Sequence, residues 1–415
     1  MTGIIKNNEG RSSGLKKAAA AGVDGVNWQT GSIKTSTFTA DSNKGYFCNT
    51  AGGSFTVNLP AGSAGAVVSV QDYNNTFDSN SLTIDPQSGE KINGGVNGGE
   101  IELTTEGEGV TFIYIDGTVG WRSIHQSTFA DVGANELFVA ACGGNSTATC
   151  GNYKIHTFTS PGTFTVSCAG NACGSNKLDY MVVAGGGGGS GEFSGGGGGG
   201  FRESVPSPAA WTGSPIANPG GALTASATGY PITVGGGGAA NSNDGNNSVF
   251  STITSTAGGA GTGGGGNPGG SGGGGSAEPA PQNAGGSGNT PPVSPPQGSN
   301  GGAGANCGGN PRGGGGGGGA TAVGTAGSPG GVGAGGAGAT SAISGSPVAR
   351  AGGGGGAGNV PGNNTVGAGG TGGGGGPSPL AGGTNTGGGG AAFGRPAGTG
   401  GNGGSGIVII RYKFQ

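Results

Sequence analysis

The N-terminal third of the chain alternates apolar and polar residues in short runs. Ser54–Leu59 and Val110–Ile115 are examples, and the turn signals Pro60-Ala-Gly62 and Asp116-Gly117 follow them. Alternation with a period of two is typical of strands that bury one face. We therefore predict a small antiparallel β-sandwich or jelly-roll-like module over residues 31–126. Its expected core side chains are Phe55, Val57, Leu59, Val68, Val70, Phe112, Tyr114 and Trp121.

A second group of strands is predicted after a less patterned stretch. Residues 127–150 indicate a linker, and residues 151–180 a β-hairpin module. Two apolar-polar alternating runs, Tyr153–Thr159 and Thr163–Val166, flank a Ser-Pro-Gly sequence. This sequence is a turn signal, so we expect the two runs to pair with each other.

Glycine dominates the rest of the chain. Of the 114 glycines, 87 lie in residues 181–415, and two apolar strands, Leu178–Val183 and Ile407–Phe414, bracket them. Glycine has no Cβ and loses much entropy on ordering, so such a tract is either disordered or built on close backbone approach. A structureless stretch of this length inside a bracketed domain is uncommon. Continuous runs such as Gly313–Gly319 exclude a collagen repeat.

We therefore predict a polyglycine-II helical bundle over residues 181–415, bracketed by strands. The predicted fold class is mainly β, with small antiparallel β-sandwich modules preceding that bundle. Trp211 is either a framework residue packed over the glycine segments or an exposed stacking platform, and we favour packing.

Charge and cysteine content exclude several function classes. Charged residues make up 8% of the chain and the net charge is −3, so no basic surface for nucleic acid is expected. Six cysteines, two histidines and no CxxC motif predict no metal and no cofactor. The acidic residues lie at turns or on alternating strand faces, and neither histidine has a nucleophile motif nearby, so we expect no enzyme. Residues 1–21 lack the apolar core of a signal peptide.

Loops between the glycine runs supply the candidate recognition residues. These loops are rich in asparagine and also carry arginine and phenylalanine, which suit hydrogen bonding and stacking. The candidate recognition residues are Asn241, Asn243, Asp244, Asn246, Arg312, Asn363, Asn364, Phe393 and Arg395.

The bracketing strands resemble a known family. The sequences Tyr180-Met-Val-Val-Ala-Gly-Gly186 and Gly406-Ile-Val-Ile-Ile-Arg-Tyr-Lys-Phe414 are similar to the glycine-rich domain of tail-fibre-like proteins from marine phages. The segment Gly45-Tyr-Phe-Cys-Asn-Thr50 resembles part of a β domain in the same fibres, and Ile4-Ile-Lys-Asn-Asn8 resembles N-terminal segments of phage structural proteins. The resemblance implies that residues 1–30 attach the chain to the virion. The candidate attachment residues are Ile4, Ile5, Arg11 and Leu15.

The resemblance implies a tail fibre and receptor-binding adhesin of a tailed bacteriophage. Such a fibre is a virion component made in the host cytoplasm, and is expected to be a homotrimer. Its N terminus would bind a tail protein, and its glycine-rich domain a glycan or an outer-membrane protein on the host surface. A capsid-attached decoration fibre with the same domains is one alternative. An ice-binding or extracellular structural glycine-rich protein is another.

Overall fold

The structure is a computed structural model and describes residues 26–87, 89–124, 137–171, 174–278, 282–305, 311–360, 363–394 and 398–415. The chain divides into two compact units, Met1–Glu136 and Leu137–Gln415. Across the described ranges the regular structure is entirely β, in six sheets. These ranges contain no helix that is long and apolar enough to cross a membrane.

The described part of the first unit consists of two sheets. Its strands are β1 (Asn27–Trp28), β2 (Phe38–Thr39), β3 (Lys44–Cys48), β4 (Phe55–Asn58), β5 (Val67–Asp72), β6 (Leu82–Asp85), β7 (Ile101–Leu103), β8 (Gly109–Asp116) and β9 (Gly120–Ile124). One sheet has the order β1-β3-β5-β8-β9 and the other the order β2-β4-β6-β7. Both sheets contribute side chains to one core, which the alternating pattern predicted. Seven of the eight expected core residues are buried there and Tyr114 packs against them partly buried, so the predicted core is confirmed.

The predicted antiparallel pairing of this unit is wrong in its first half. β1, β3 and β5 are parallel neighbours, as are β2, β4 and β6, and only the later pairs β5–β8, β8–β9 and β6–β7 are antiparallel. From β1 to β6 the chain alternates between the two sheets, so each strand returns beside the one two places earlier, in the same direction. An alternating pattern fixes which face is buried but not the direction of the neighbouring strand.

The second unit carries the remaining strands. They are β10 (Val139–Cys142), β11 (Ser146–Cys150), β12 (Tyr153–Phe158), β13 (Gly162–Ala169), β14 (Lys177–Val183), β15 (Phe201–Val205), β16 (Asn218–Pro219), β17 (Leu223–Thr224), β18 (Gly229–Thr233), β19 (Ser248–Phe250), β20 (Ile253–Ser255), β21 (Arg312–Gly313), β22 (Ala339–Ser341), β23 (Val348–Arg350), β24 (Ala357–Val360), β25 (Asn363–Val366) and β26 (Ile407–Lys413). The largest sheet has the order β11-β12-β26-β14-β15-β16, and β17 also pairs with β14. A second sheet has the order β10-β13-β18-β19-β20, and two small sheets are β21-β24-β25 and β22-β23.

The antiparallel pair β14–β26 is the centre of this unit. Val183 lies opposite Ile407 and Met181 opposite Ile409, so the chain enters and leaves the glycine tract at the same end of the pair. Alternate side chains point to opposite faces. Leu178, Tyr180 and Val182 enter a core shared with the second sheet, whereas Met181 and Val183 enter a core that contains Phe201, Trp211 and Ile343. The pair is therefore buried on both faces.

Two local expectations differ from the structure. Residues 139–142 and 146–150, which we expected in a linker, form β10 and β11. β12 and β13 do not pair with each other as a hairpin: β12 lies between β11 and β26, and β13 lies between β10 and β18. The Ser-Pro-Gly turn does not close a hairpin, because it connects β12 in the largest sheet to β13 in the second sheet.

The predicted polyglycine-II helical bundle is wrong. The described residues include no helix, and most of the glycine runs lie outside the strands as extended segments between several sheets. Close approach of the backbones is nevertheless present. Successive amides of one run donate to different segments, as Gly187 N–H does to Gly197 O and Gly188 N–H to Asn243 O, both at 2.9 Å. The missing Cβ explains why these backbones can touch, but it does not impose a helical repeat.

Candidate functional site

The glycine segment after β14 makes a return excursion. It turns back at residues 190–194 and rejoins the sheet as β15. Along the way Gly187 N–H donates to Gly197 O and Ser190 N–H to Ser194 O, both at 2.9 Å. The turn at 190–194 thus lies midway along the excursion, at the end that is remote from strands β14 and β15.

Two other segments, around residues 241–246 and 393, form backbone hydrogen bonds along this excursion. Next to the sheet, Gly185 N–H donates to Asn246 O at 3.0 Å, whereas Asn241 N–H donates to Gly189 O at 2.9 Å next to the turn. Phe393 N–H donates to Ser190 O at 2.9 Å. The loops at 240–244 and 392–394 therefore lie at the same end as the 190–194 turn.

The small sheet β21-β24-β25 lies at this end too. Ala357 N–H donates to Phe193 O at 2.7 Å, and Gly314 N–H donates to Ala357 O at 2.8 Å. Ser276 Oγ donates to the Glu192 carbonyl at 2.7 Å. We call this end the distal end, and define it by residues 190–194, 240–244, 276–278, 312–314, 357–360, 363–366, 392–394 and 398–402. Described residues from all four loop regions that contain predicted recognition residues reach it, whereas Asn246 itself lies next to the sheet.

A small buried apolar cluster lies within the distal end. Phe193 is fully buried among Ala277, Ala357 and Ala392, and Val366 packs against them. Phe193 has a φ of 82°, in the left-handed region that is unusual for a large side chain. The turn at 190–194 buries its phenyl ring, which joins the loops at Ala277 and Ala392 to strands β24 and β25.

The loop at 240–246 exposes its asparagines but uses Asp244 structurally. Asp244 Oδ1 accepts from Ala260 N–H at 2.7 Å and from Asn267 Nδ2 at 3.0 Å. Asn243 Nδ2 donates to the carbonyl of Ala240 at 3.1 Å. Asp244 therefore holds the neighbouring segment in place, and Asn241, Asn243 and Asn246 remain exposed.

Arg312, Asn363 and Asn364 come together in the small distal sheet. Arg312 lies opposite Asn359 of β24, which lies opposite Asn364 of β25. The guanidinium of Arg312 forms an ion pair with the carboxylate of Glu278. Arg312 is therefore committed to a structural contact.

Phe393 is partly exposed at the distal end. Its ring lies directly against the backbone of Gly398. Sequence reasoning missed Asn402, which is exposed and whose Oδ1 accepts from Ala240 N–H at 2.8 Å. A lone asparagine between glycines gave no signal. Arg395, Ile4, Ile5, Arg11 and Leu15 lie outside the described residues.

The opposite, sheet-proximal part of the domain holds a buried charged cluster. Asp179 and Arg411 are cross-strand partners, and Asp179 accepts from Ser204 Oγ at 2.7 Å. Burial raises the pKa of Asp179 to about 6 and also raises the pKa of Glu203. Both carboxyls are almost fully buried, so no substrate reaches them in this structure.

Trp211 contacts Arg411 of this cluster, and this contact shows how its ring is used. Its ring is 9% exposed and lies under the Arg411 guanidinium, 4.2 Å from the guanidinium carbon to the ring centroid. Trp211 is therefore packed and not an exposed platform, as favoured from the sequence, but it packs over the central strands and not over the glycine segments. Among the described residues there is no group of three histidine, cysteine, aspartate or glutamate side chains placed to hold a metal ion.

Comparison with known proteins identifies the domain but not its ligand. Residues 159–413 match the model of a family described as Glycine-rich domain, which covers more than half of the chain, so the chain belongs to that family. No curated protein matches the chain.

Proposed function

We propose that this member of the glycine-rich domain family is a receptor-binding tail fibre of a tailed bacteriophage. The observation that carries the proposal is the gathering of the candidate recognition loops at the distal end of the second unit. Binding residues are commonly presented on loops held by a rigid scaffold. Here the scaffold consists of backbone hydrogen bonds between segments distant in sequence, so the loop ends are held without a large apolar core beneath them. The resemblance of the bracketing strands to marine phage fibres supplies the biological setting.

The proposal assigns different tasks to the two ends of the chain. The N-terminal segment binds a virion protein on the tail, and the distal end contacts a glycan or an outer-membrane protein of the host. Three copies form one fibre. The fibre needs no catalytic group, and the buried position of Asp179 and Glu203 is consistent with a structural role for these carboxyls.

Cell binding tests the recognition half of the proposal. Fluorescently labelled full-length protein is titrated onto a panel of marine bacterial isolates, and bound fluorescence is measured. We expect saturable binding to a subset of isolates, and a loss of binding in the triple variant Asn241→Ala, Asn243→Ala, Phe393→Ala. Val323→Ala is the matched control, because Val323 is 60% exposed and lies outside the distal end. Equal binding by the triple variant and the control would exclude the distal end as the receptor site.

Particle labelling tests the virion half. Gold-labelled antibody against residues 26–124 is applied to phage particles that carry the chain, and electron micrographs are scored for label position. Label at the tail supports the proposal, and label confined to the capsid would identify a decoration fibre. Sedimentation of the purified protein at three times the monomer mass is the expected outcome for the trimer.

A further inference from the structure

At the distal end, the aromatic side chain of Phe393 packs against backbone and is left partly open. The ring of Phe393 lies against the backbone of Gly398, where any Cβ would collide with it. Its own N–H is bound to Ser190 O. An aromatic ring fixed on a backbone loses little conformational freedom when a ligand stacks on it.

Two asparagine side chains, from two segments that meet at the distal end, both present unused donors. Asn402 Oδ1 accepts from Ala240 N–H at 2.8 Å, and Asn241 Oδ1 accepts from Gly400 N–H at 3.5 Å. These two contacts fasten the 240–244 loop to residues 400–402. In the described part of the chain the Nδ2 groups of both asparagines have no hydrogen-bond partner, and both residues are exposed. Each amide therefore offers a positioned N–H pair to a ligand.

Among the residues that the structure describes, two charged side chains of the distal end are already committed to contacts within the fold. Asp244 accepts two hydrogen bonds from its neighbours, and Arg312 is paired with Glu278. Neither provides an unpaired charge for an ionic ligand. Among the described side chains, the available chemistry is one apolar ring face, packed at Gly398, near neutral amide donors. This combination matches a ligand with an apolar CH face and hydroxyl acceptors.

We propose that Phe393, Asn241 and Asn402, which we call the Phe393 patch, bind a neutral saccharide. The CH face of a pyranose ring stacks on Phe393, and the two amides donate to its hydroxyl or ring oxygens. The inference rests on the proposed receptor-binding function. It narrows the receptor from a glycan or a protein to an uncharged glycan.

A glycan array tests this directly. The full-length protein is applied to an array that carries neutral oligosaccharides beside their sialylated and phosphorylated counterparts. We expect binding to a subset of neutral glycans, weakened about tenfold or more by Phe393→Ala, as is usual for a central aromatic contact. Phe393→Tyr retains the ring and should retain binding, and Val323→Ala should be unchanged.

Asn241→Asp provides a second, nearly isosteric test. It keeps the oxygen that accepts from Gly400 N–H but replaces the Nδ2 donor with an acceptor, so the loop contact survives and the donation to the saccharide is lost. We expect an approximately tenfold weaker array signal with an unchanged circular dichroism spectrum. Normal binding by this variant would overturn the assigned role of Asn241.

The array and the cell assay separate the two proposals. Neutral-glycan binding that depends on Phe393 supports the inference, even if no bacterial isolate is bound. Cell binding without any neutral-glycan signal, or array binding confined to anionic glycans, overturns the inference and leaves receptor binding in place. Array binding that is insensitive to Phe393→Ala overturns the assignment of the Phe393 patch as the saccharide-binding site.

Discussion

The sharpest prediction concerns single glycines in the hydrogen-bonded tract. A methyl group on Gly317 would lie 2.8 Å from Gly197 N and closer still to the carbonyl of Gly196. Carbon and oxygen rarely approach within about 3.3 Å, so one backbone must move by about 1 Å. All neighbours there are backbone atoms, which cannot rotate away. Gly317→Ala should therefore disrupt local hydrogen bonding.

The expected loss follows from three hydrogen bonds at this site. Gly317 N–H donates to Gly354 O at 2.9 Å, Gly336 N–H to Gly317 O at 2.9 Å, and Gly354 N–H to Gly196 O at 2.8 Å. A displacement of about 1 Å takes each beyond hydrogen-bond length. At about 1 kcal/mol for each bond, Gly317→Ala should lower the free energy of unfolding by about 3 kcal/mol.

The matched control is Gly236→Ala. A methyl group there meets its nearest neighbour, Asn246 Nδ2, at 3.6 Å, which is ordinary van der Waals contact. Because alanine restricts the unfolded chain, this variant should be about 0.4–1 kcal/mol more stable than the wild type. The two substitutions are chemically identical, so the difference between them isolates backbone contact.

Guanidinium unfolding, with hydrogen exchange of peptides from β14 and β26, measures both variants. Gly317→Ala should shift the midpoint to lower denaturant and speed exchange in both strands, whereas Gly236→Ala should not. Equal midpoints for the two variants would refute the view that backbone contacts between glycine segments hold this domain together.

Three further predictions address the cores and the buried polar groups. Burial raises the pKa of Asp179 from 3.8 to about 6, so the folded state holds its proton more tightly than the unfolded state. Stability from this group is therefore fully present below pH 3.8 and is lost as the pH rises from 3.8 to about 6, by about 3 kcal/mol in total. The pH-dependent unfolding of Asp179→Asn should lack this loss. Phe193→Ala should destabilise the distal cluster by about 3–5 kcal/mol, seen as faster exchange at residues 357–360 than in β14. Burial raises the pKa of Cys48 to about 12, so a thiol reagent at pH 8 should label the exposed Cys142 and leave Cys48 unmodified in the folded protein.

The period-two pattern predicted where the strands lie and which of their residues form the core, but not which strands pair with each other. Phe55 and Val57 are buried as expected, because alternation dictates which side of a strand is apolar. Whether a strand pairs in parallel depends on the path of the connection between strands, which no local pattern records. For the same reason Tyr153–Phe158 pairs with Ile407–Lys413, more than two hundred positions along the chain, instead of with the run after the nearby turn.

The candidate surface shows a similar division. Loop composition singled out Asn241 and Phe393, both of which reach the distal end. It also singled out Asp244 and Arg312, whose charges are used within the fold. A sequence shows that a residue can make a hydrogen bond, but only the register of the glycine segments shows whether the bond is already made.

The pairing of Val183 with Ile407 has a consequence for the evolution of this domain. Residues 184–406 begin and end side by side, so in topological terms they are the connection of a single hairpin. The entropy of closing a connection grows only slowly with its length, by about 0.6 kcal/mol for each doubling. Recombination at the two bracketing strands would therefore exchange the whole tract, distal loops included, as one cassette, provided that the incoming tract supplies strands that pair with β13 and β14 as β18 and β15 do.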